Sequence, residues 1–488
     1  MSQMISIESQ IAKHAEETPD KIAVISGKKR LTYRELWDNI MHAASIFSQQ
    51  LHMQPKERVI LAADKQVEFL YAYFGGHMAG LEIAPISFNT EKKRLEFIQQ
   101  KLSTKVLIGF RAIDLPNIQQ YDWSLFADAD VAMDEENPAA FPEMDSISDI
   151  LFTTGTTGEP KGVPLTFSNL SAAARNINAF IQNHEDDLEV LALPISHSFG
   201  LGRIRCCLSK GATIGLLGNF ANVKKLFRTL RDEKATGFSM VPASWRYLKK
   251  YTGTRLSEFA DQLHFIEFGS AYMSAEEKQE LAELFPHTRI CMHYGLTEAS
   301  RSAFTEFHQD NGYLDSVGKP SPHVEIAIFD ETGRKLPPME DGEICVQGEH
   351  VTHGYLYYDN SKAFYGDYFR TGDWGHVSSD GYVYLAGRKK ELINVGGEKV
   401  SPIEIETVLK EIPGVADCAC IGVPDPNGML GEVVKAFIVP DKEHPISFDE
   451  IRKQTIGKLE GYKIPAVWDW IDEIPKTQNG KIQRLSLK

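Results

Sequence analysis

The chain of 488 residues has no C-x-x-C pair, and its six cysteines (Cys206, Cys207, Cys291, Cys345, Cys418 and Cys420) sit mostly in apolar runs. That disfavours a zinc site and a disulfide framework, and fits small core residues of a reduced protein. No stretch of about 18 consecutive apolar residues occurs, and the opening MSQMISIESQIAKHAEETPDK lacks the apolar run of a secretory signal. A cytoplasmic protein without an integral membrane segment is expected. An excess of basic residues is also missing: 52 Lys and Arg stand against 67 Asp and Glu, a net charge of −15. That weakens any case for gripping nucleic acid or anionic lipid by bulk electrostatics. Internal repeats and low-complexity tracts are absent too. What the chain does have is apolar material, 42% of its residues, enough for the cores of two or three domains.

The order of that material predicts an α/β fold. From Ile5 to Gln50 helical segments alternate with the strand and turn KIAVISGKKRLTY, and VILAADK followed by VEFLYAYFGGHMAG is a strand and helix unit. Strand-length runs (KVLIGF, VLALPI, ATIGLL, TGFSMVP, LHFIEFG, RICMHYG) are separated by helix-length stretches such as KKLFRTLRDEK and SAEEKQELAELF. This rhythm predicts doubly wound, largely parallel sheets. After about Val317 it gives way to short alternating strands with Gly and Asp turns, VEIAIFDETGRKL, GEICVQG and GYVYLAG, expected as a small β-barrel-like subdomain over 317–388. From Arg388 a charged RKKE segment leads into a helix start at Ser401, Pro402 and Glu404 that fits a capping box with proline in the first turn. ADCACIGVPD and EVVKAFIVP read as strands and FDEIRKQTIGKL as a helix. The expected division is a large N-terminal domain, 1–388, and a small α+β C-terminal domain, 389–488.

The segment richest in chemistry is ILFTTGTTGEPKG, where an apolar strand runs into Thr153, Thr154, Gly155, Thr156, Thr157, Gly158, Glu159, Pro160 and Lys161. Glycines let the backbone curl its N–H groups toward an anion, threonine hydroxyls add donors, and lysine adds a mobile cation. A cradle for a polyphosphate is the expectation, set against a plain surface loop. It is not a Walker A loop, because Pro160 stands where the second glycine is needed and Gly162 where Ser or Thr should follow the lysine.

TTGTTGEPKG resembles the phosphate-loop signature of the adenylate-forming superfamily, which holds acyl-CoA synthetases, peptide-synthetase adenylation domains and luciferases. Four further motifs resemble that family in its order: HYGLTEAS (His293 to Ser300), YFRTGDWG (Tyr368 to Gly375), GRKKELINVGGEKVSPIEIE (Gly387 to Glu406) and PKTQNGKI (Pro475 to Ile482). Together they span Thr153 to Lys481. The resemblance implies an ATP- and Mg²⁺-dependent ligase of the acyl-CoA synthetase branch. A carboxylate oxygen attacks the α-phosphorus of ATP, pyrophosphate leaves, and a thiol then displaces AMP from the acyl-adenylate.

Roles follow from the resemblance residue by residue. Thr297 contacts the α-phosphate, Glu298 holds Mg²⁺, and Tyr294 lies against adenine, with Gly269, Ser270 and Ala271 beside adenine and substrate. Asp373 and Arg388 take the ribose, although a turn aspartate and an exposed arginine are the bland readings of the two. Lys481 bridges the substrate carboxylate and the α-phosphate, although a lysine so near the end of a chain is usually just solvated. Lys390 is the hinge of a mobile small domain, and Gly396 and Gly397 line a pantetheine passage, against a charged linker and a glycine turn.

The acid is the least legible part. LPISHSFG (Leu193 to Gly200) resembles the wall of the acyl pocket, with His197 either gating the carboxylate or bonded only locally. No acidic residue occurs between Leu191 and Gly211, so an α-amino acid would bury its ammonium unpaired. Tyr272 stands where many relatives have proline. Arg203 and Arg205 pair with a second acidic group or with CoA phosphates, or are ordinary solvated helix charges. The leading expectation is an acyl-CoA made from an aryl or medium-chain fatty acid, with CoA as acceptor. A carrier-protein phosphopantetheine is the alternative acceptor, and a non-catalytic nucleotide-binding scaffold the rival of another class.

Overall fold

The computed structural model describes residues 4–127, 140–153, 160–220, 222–396, 398–477 and 482–487. The chain divides into two compact units. One comprises Met1–Leu314, Gly318–Glu325 and Val346–Phe364; the other comprises Asp315–Val317, Ile326–Cys345 and Tyr365–Lys488.

The alternation of strands and helices in the first unit builds two sheets. In the larger, Ile22–Ser26, Thr213–Leu216, Leu188–Leu191, Gly237–Met240, Phe265–Phe268 and Arg289–Tyr294 lie side by side and parallel, and Ala303–Glu306 joins antiparallel at one flank. The second sheet sets Val106–Ile108, Arg58–Ala63, Glu82–Ser87 and Ile147–Thr153 in parallel, and Lys161–Thr166 pairs antiparallel with the last. Parallel strands are covered on both faces, so they read as unbroken apolar runs. Gly237–Met240 and Phe265–Phe268 are buried at every position. That burial includes Glu267, a carboxylate that must be paired where it stands.

Helix ends are locally specified. The helix Phe167–Ile181 begins with a reciprocal capping box between Thr166 and Asn169, and Ile7–Glu17 is capped by Ser6 with Ile7, Ile11 and Ala15 on its buried face. The helix Pro402–Lys410 departs from expectation in one respect. Ser401 Oγ accepts from the Glu404 N–H at 3.2 Å, but the Glu404 carboxylate accepts from Lys463 Nζ at 2.7 Å, so the box is half formed.

In the second unit the short strands after Val317 form most of a five-stranded sheet in which Tyr368–Val377 and Val383–Arg388 run antiparallel. Val415–Pro424, Glu432–Pro440 and Val467–Trp470 form a three-stranded sheet, covered by Pro402–Lys410 and Phe448–Thr455 around a core of Ile405, Leu409, Cys418, Cys420, Ala436 and Ile451. All six cysteines are buried free thiols.

Arg203 and Arg205 are not solvated helix charges, and neither is held out toward a ligand. Both lie on the helix Ser198–Ser209 with their side chains buried. Arg203 Nη2 meets Glu189 Oε2 at 2.8 Å and Asn183 Oδ1 at 3.0 Å, while Arg205 pairs with Asp149 and donates to the Tyr73 hydroxyl at 2.8 Å. Helical spacing alone does not show this, because the carboxylate partners Glu189 and Asp149 sit on strands 14 and 56 positions away.

Candidate active site

The candidate site elements of the first unit are β1 (Ile147–Thr153), β2 (Lys161–Thr166), α1 (Phe167–Ile181), α2 (Ser198–Ser209), β3 (Phe265–Phe268) and β4 (Arg289–Tyr294). β1 and β2 are antiparallel, and Thr153 is the register partner of Lys161. Thr153 and Lys161, the described residues on either side of the Thr- and Gly-rich stretch, thus face each other across two paired strands. Thr154, Gly155, Thr156, Thr157 and Gly158 lie outside the described residues.

Lys161 does not stand alone at the start of β2. Its Nζ lies 4.5 Å from the ring centroid of Tyr355 and 5.2 Å from that of Tyr358, within cation–π range. The Tyr355 hydroxyl donates to Glu298 Oε1 at 2.7 Å. The segment carrying these tyrosines is stitched to both sides. The Leu356 N–H donates to the Gly162 carbonyl at 2.9 Å, the Thr352 hydroxyl to the Pro164 carbonyl at 2.6 Å, and the Thr352 N–H to the Glu298 carbonyl at 2.8 Å. Sequence reasoning missed Tyr355. The available signal was the aromatic run GYLYY, three tyrosines in a stretch too polar for a core strand.

Tyr294, Thr297 and Glu298 follow in the order the motif gives them. Tyr294 ends β4 and is buried, and a tight turn links the Leu296 and Ala299 backbones. Thr297 is half-buried and Glu298 buried. With Tyr355 on one carboxylate oxygen, Glu298 Oε2 is left as a hard oxygen ligand suited to a divalent cation. Gly269, Ser270 and Ala271 leave the end of β3. The His293 ring lies so close over Gly269 that a Cβ would not fit, and Ser270 holds a left-handed φ of +74°. Tyr272 is exposed, and its carbonyl accepts from Arg246 Nη2 at 3.3 Å.

His197 takes the N-cap position of α2 without a side-chain capping bond and opens to solvent. The protein around its ring, and then the charge of Arg94, hold its pKa below the ordinary imidazole value, so it is neutral at pH 7.

The second unit carries the other predicted residues on β5 (Tyr368–Val377) and β6 (Val383–Arg388). Asp373 and Arg388 are cross-strand partners, with Arg388 Nε 2.9 Å from Asp373 Oδ1. Arg388 Nη1 donates to the Thr371 carbonyl at 2.9 Å, and the Asp373 N–H to the Thr371 hydroxyl at 3.0 Å. A buried carboxylate fixed this way is held in a set direction, as recognition of a diol requires. Lys390 is exposed in the turn after β6, and Gly396 has φ +61° with its N–H on the Leu430 carbonyl at 2.9 Å. Gly397 and Lys481 lie outside the described residues.

The architecture that carries these residues is mixed α/β, with several sheets and a small C-terminal domain. The AMP-binding enzyme family matches residues 11–356, and the AMP-binding enzyme C-terminal domain matches residues 404–481. The chain belongs to that family, within the adenylate-forming superfamily. It is 31% identical to oxalate–CoA ligase of Arabidopsis thaliana, over 96% of this chain and 95% of that protein. It is 29% identical to 2-succinylbenzoate–CoA ligase of Staphylococcus aureus, over 97% and 98%. Among solved structures, o-succinylbenzoate CoA synthetase (MenE) of Bacillus subtilis with its acyl-adenylate intermediate superposes with a TM-score of 0.88 at 26% identity, covering 98% and 97% of the two chains. ATP-bound MatB of Rhodopseudomonas palustris gives 0.88 at 26%, covering 99% and 98%. The protein is an ATP-dependent, AMP-forming acid–CoA ligase.

Proposed function

We propose that the residues above divide the ligase reaction as follows. The connection from Thr153 through Lys161 takes the β- and γ-phosphates, Thr297 the α-phosphate, Tyr294 with Gly269 to Ala271 the adenine, and Asp373 with Arg388 the ribose. Magnesium, held by Glu298, supplies charge neutralisation at the phosphates. The acid's carboxylate oxygen attacks the α-phosphorus as the bond to pyrophosphate breaks, with Lys481 holding the two anions together. The CoA thiol, giving its proton to solvent, then attacks the acyl carbon, and the bond to AMP breaks.

The observation that carries this reading is the Lys161–Tyr355–Glu298 connection, which ties a phosphate-type cation to a metal-type carboxylate. We further propose that 389–488 act as a mobile domain hinged at Lys390, bringing Lys481 for adenylation and Gly396 with Gly397 for thiol transfer. No helix among the described residues is long and apolar enough to cross a membrane. Six buried free thiols fit a reducing cytoplasm.

The test is pyrophosphate release across a panel of carboxylic acids, with and without CoA. Acid-dependent release with CoA consumed is expected. Release that CoA does not follow, but a phosphopantetheinylated carrier protein does, moves the acceptor to the carrier. Absence of acid-dependent ATP–pyrophosphate exchange overturns the reading.

A further inference from the structure

Asn169 is the third residue of α1, is 3% exposed, and its side chain bonds in two directions. Oδ1 accepts from the Thr166 N–H at 3.0 Å, and the Asn169 N–H donates to Thr166 Oγ1 at 3.1 Å, which closes the capping box. Nδ2 directs both of its hydrogens elsewhere, to the Glu349 carbonyl at 2.8 Å and the Val351 carbonyl at 2.9 Å. The box itself needs only an acceptor at this position, and Glu commonly supplies it. An ionised carboxylate has no hydrogen to give, so Asp or Glu here would turn a charged acceptor toward two carbonyl acceptors. Capping accounts for the bonds to Thr166, and the amide's other half serves the 349–351 segment.

That segment leads to the groups that the ligase reading gives to the metal and the phosphates. Val351 is the bridge partner of Ala299, the residue after Glu298. Thr352, next in the chain, donates its N–H to the Glu298 carbonyl at 2.8 Å. Three residues further on, the Tyr355 hydroxyl donates to Glu298 Oε1 at 2.7 Å while its ring carries Lys161 Nζ at 4.5 Å. The stretch 349–355 thus holds Glu298 at its backbone and at its carboxylate. Thr166, which receives the other half of the Asn169 amide, ends the strand β2 that Lys161 begins. One amide therefore joins β2, α1 and the segment that aims Glu298. Buried carbonyls deprived of their donors are costly. Relief by rotation of the 349–351 backbone would carry Val351 and Thr352 away from Ala299 and Glu298.

We propose that Asn169 is a positioning residue for the ligase reaction. It acts through the 349–355 segment to fix Glu298 for a divalent cation, and touches neither cation nor substrate. The inference rests on the ligase reading, which gives Glu298 that role.

Asn169→Asp keeps the acceptor for Thr166 and removes both donated hydrogens. Asn169→Ala removes them without adding a charge. Thr166→Ala is the comparison, because it deletes the capping hydroxyl and leaves the bonds to Glu349 and Val351 in place. Full-length protein is mixed with Mn²⁺ in place of Mg²⁺ and with α,β-methylene-ATP, which cannot release pyrophosphate. Electron paramagnetic resonance reads the Mn²⁺ affinity of the protein–nucleotide complex after subtraction of Mn²⁺ held by nucleotide alone, and circular dichroism with urea follows folding. Both Asn169 variants should bind Mn²⁺ about tenfold or more weakly. Thr166→Ala should lower the urea midpoint and leave Mn²⁺ affinity unchanged. Folded Asn169 variants that bind Mn²⁺ as the wild type does overturn the proposal. So does an equal loss of Mn²⁺ affinity in Thr166→Ala, since the amide would then act only by holding the helix, and so does failure of both Asn169 variants to fold. Glu298→Gln separates this proposal from the ligase reading: it should weaken Mn²⁺ more than either Asn169 variant. Wild-type Mn²⁺ binding that Glu298→Gln leaves untouched fails the metal assignment of the ligase reading itself.

Discussion

The Tyr355 hydroxyl donates to Glu298 Oε1 at 2.7 Å while the same ring carries Lys161 Nζ at 4.5 Å. One phenol therefore orients the carboxylate and seats the cation. Tyr355→Phe keeps the ring and deletes a hydrogen bond to a charged acceptor, worth about 1.5–3 kcal/mol. Pyrophosphate exchange at limiting magnesium should fall about tenfold or more, recovering as magnesium is raised. Tyr355→Leu also removes the ring under Lys161, and KM for ATP should then rise. A magnesium titration of Tyr355→Phe that overlays the wild type would remove Tyr355 from the site.

Lys481→Ala tests the division of the two half-reactions. Adenylation should fall by about a hundredfold or more, because a cation at the developing charge is lost. Thiol transfer from preformed acyl-adenylate should persist. Single-turnover mixing of the variant with acyl-adenylate and CoA separates the steps, and unchanged exchange would show that the tail lysine does not serve the α-phosphate.

Much of the fold was legible because burial on both faces of a parallel strand leaves an unbroken apolar run. VLALPI, TGFSMVP and RICMHYG became strands of one sheet for that reason. The order of the motifs likewise pointed to Thr297, Glu298, Asp373 and Arg388. Tyr355 was not legible as a partner of Glu298, because a hydrogen bond across 57 positions leaves no local periodicity. Arg203 and Arg205 misled for the same reason. On a helix, a buried arginine and a solvated one have the same spacing, and only the placement of Glu189, Glu267 and Asp149 on strands distinguishes them.

That burial makes Arg203 a test of the core. Arg203 Nη2 and Glu189 Oε2 are 2.8 Å apart with almost no exposure on either side chain. Arg203→Met leaves Glu189 charged and unpaired beside Glu267, a loss of about 3–5 kcal/mol. Arg175, whose pair with Glu349 is open to solvent, should cost less than about 1 kcal/mol when changed to Met. Urea midpoints of the two variants should separate accordingly, and equal midpoints would mean that the buried pair is not held as the geometry indicates.

His350 supplies a pH dependence whose sign is fixed. It is 2% exposed, Nε2 lies 3.1 Å from Ser302 Oγ, and Nδ1 has no hydrogen-bond partner among the described residues. Burial, and then the charge of Arg175, push its pKa down from 6.5 to about 4. Between those values the unfolded chain takes a proton that the folded ring refuses, so the contribution is whole above pH 6.5 and is lost as pH falls toward 4. The loss amounts to about 3 kcal/mol at the acid end. His77 adds no slope there. Burial works against its charged form, but bonds to Asp149 and Glu8 raise its pKa overall, so below pH 6.5 it is protonated in both states and its own loss comes as pH rises. His350→Asn keeps a neutral polar group near Ser302 and removes the titration. Its urea midpoint should fall less steeply than the wild type's between neutral pH and pH 4.5, and parallel slopes would show that His350 is already charged in the folded protein.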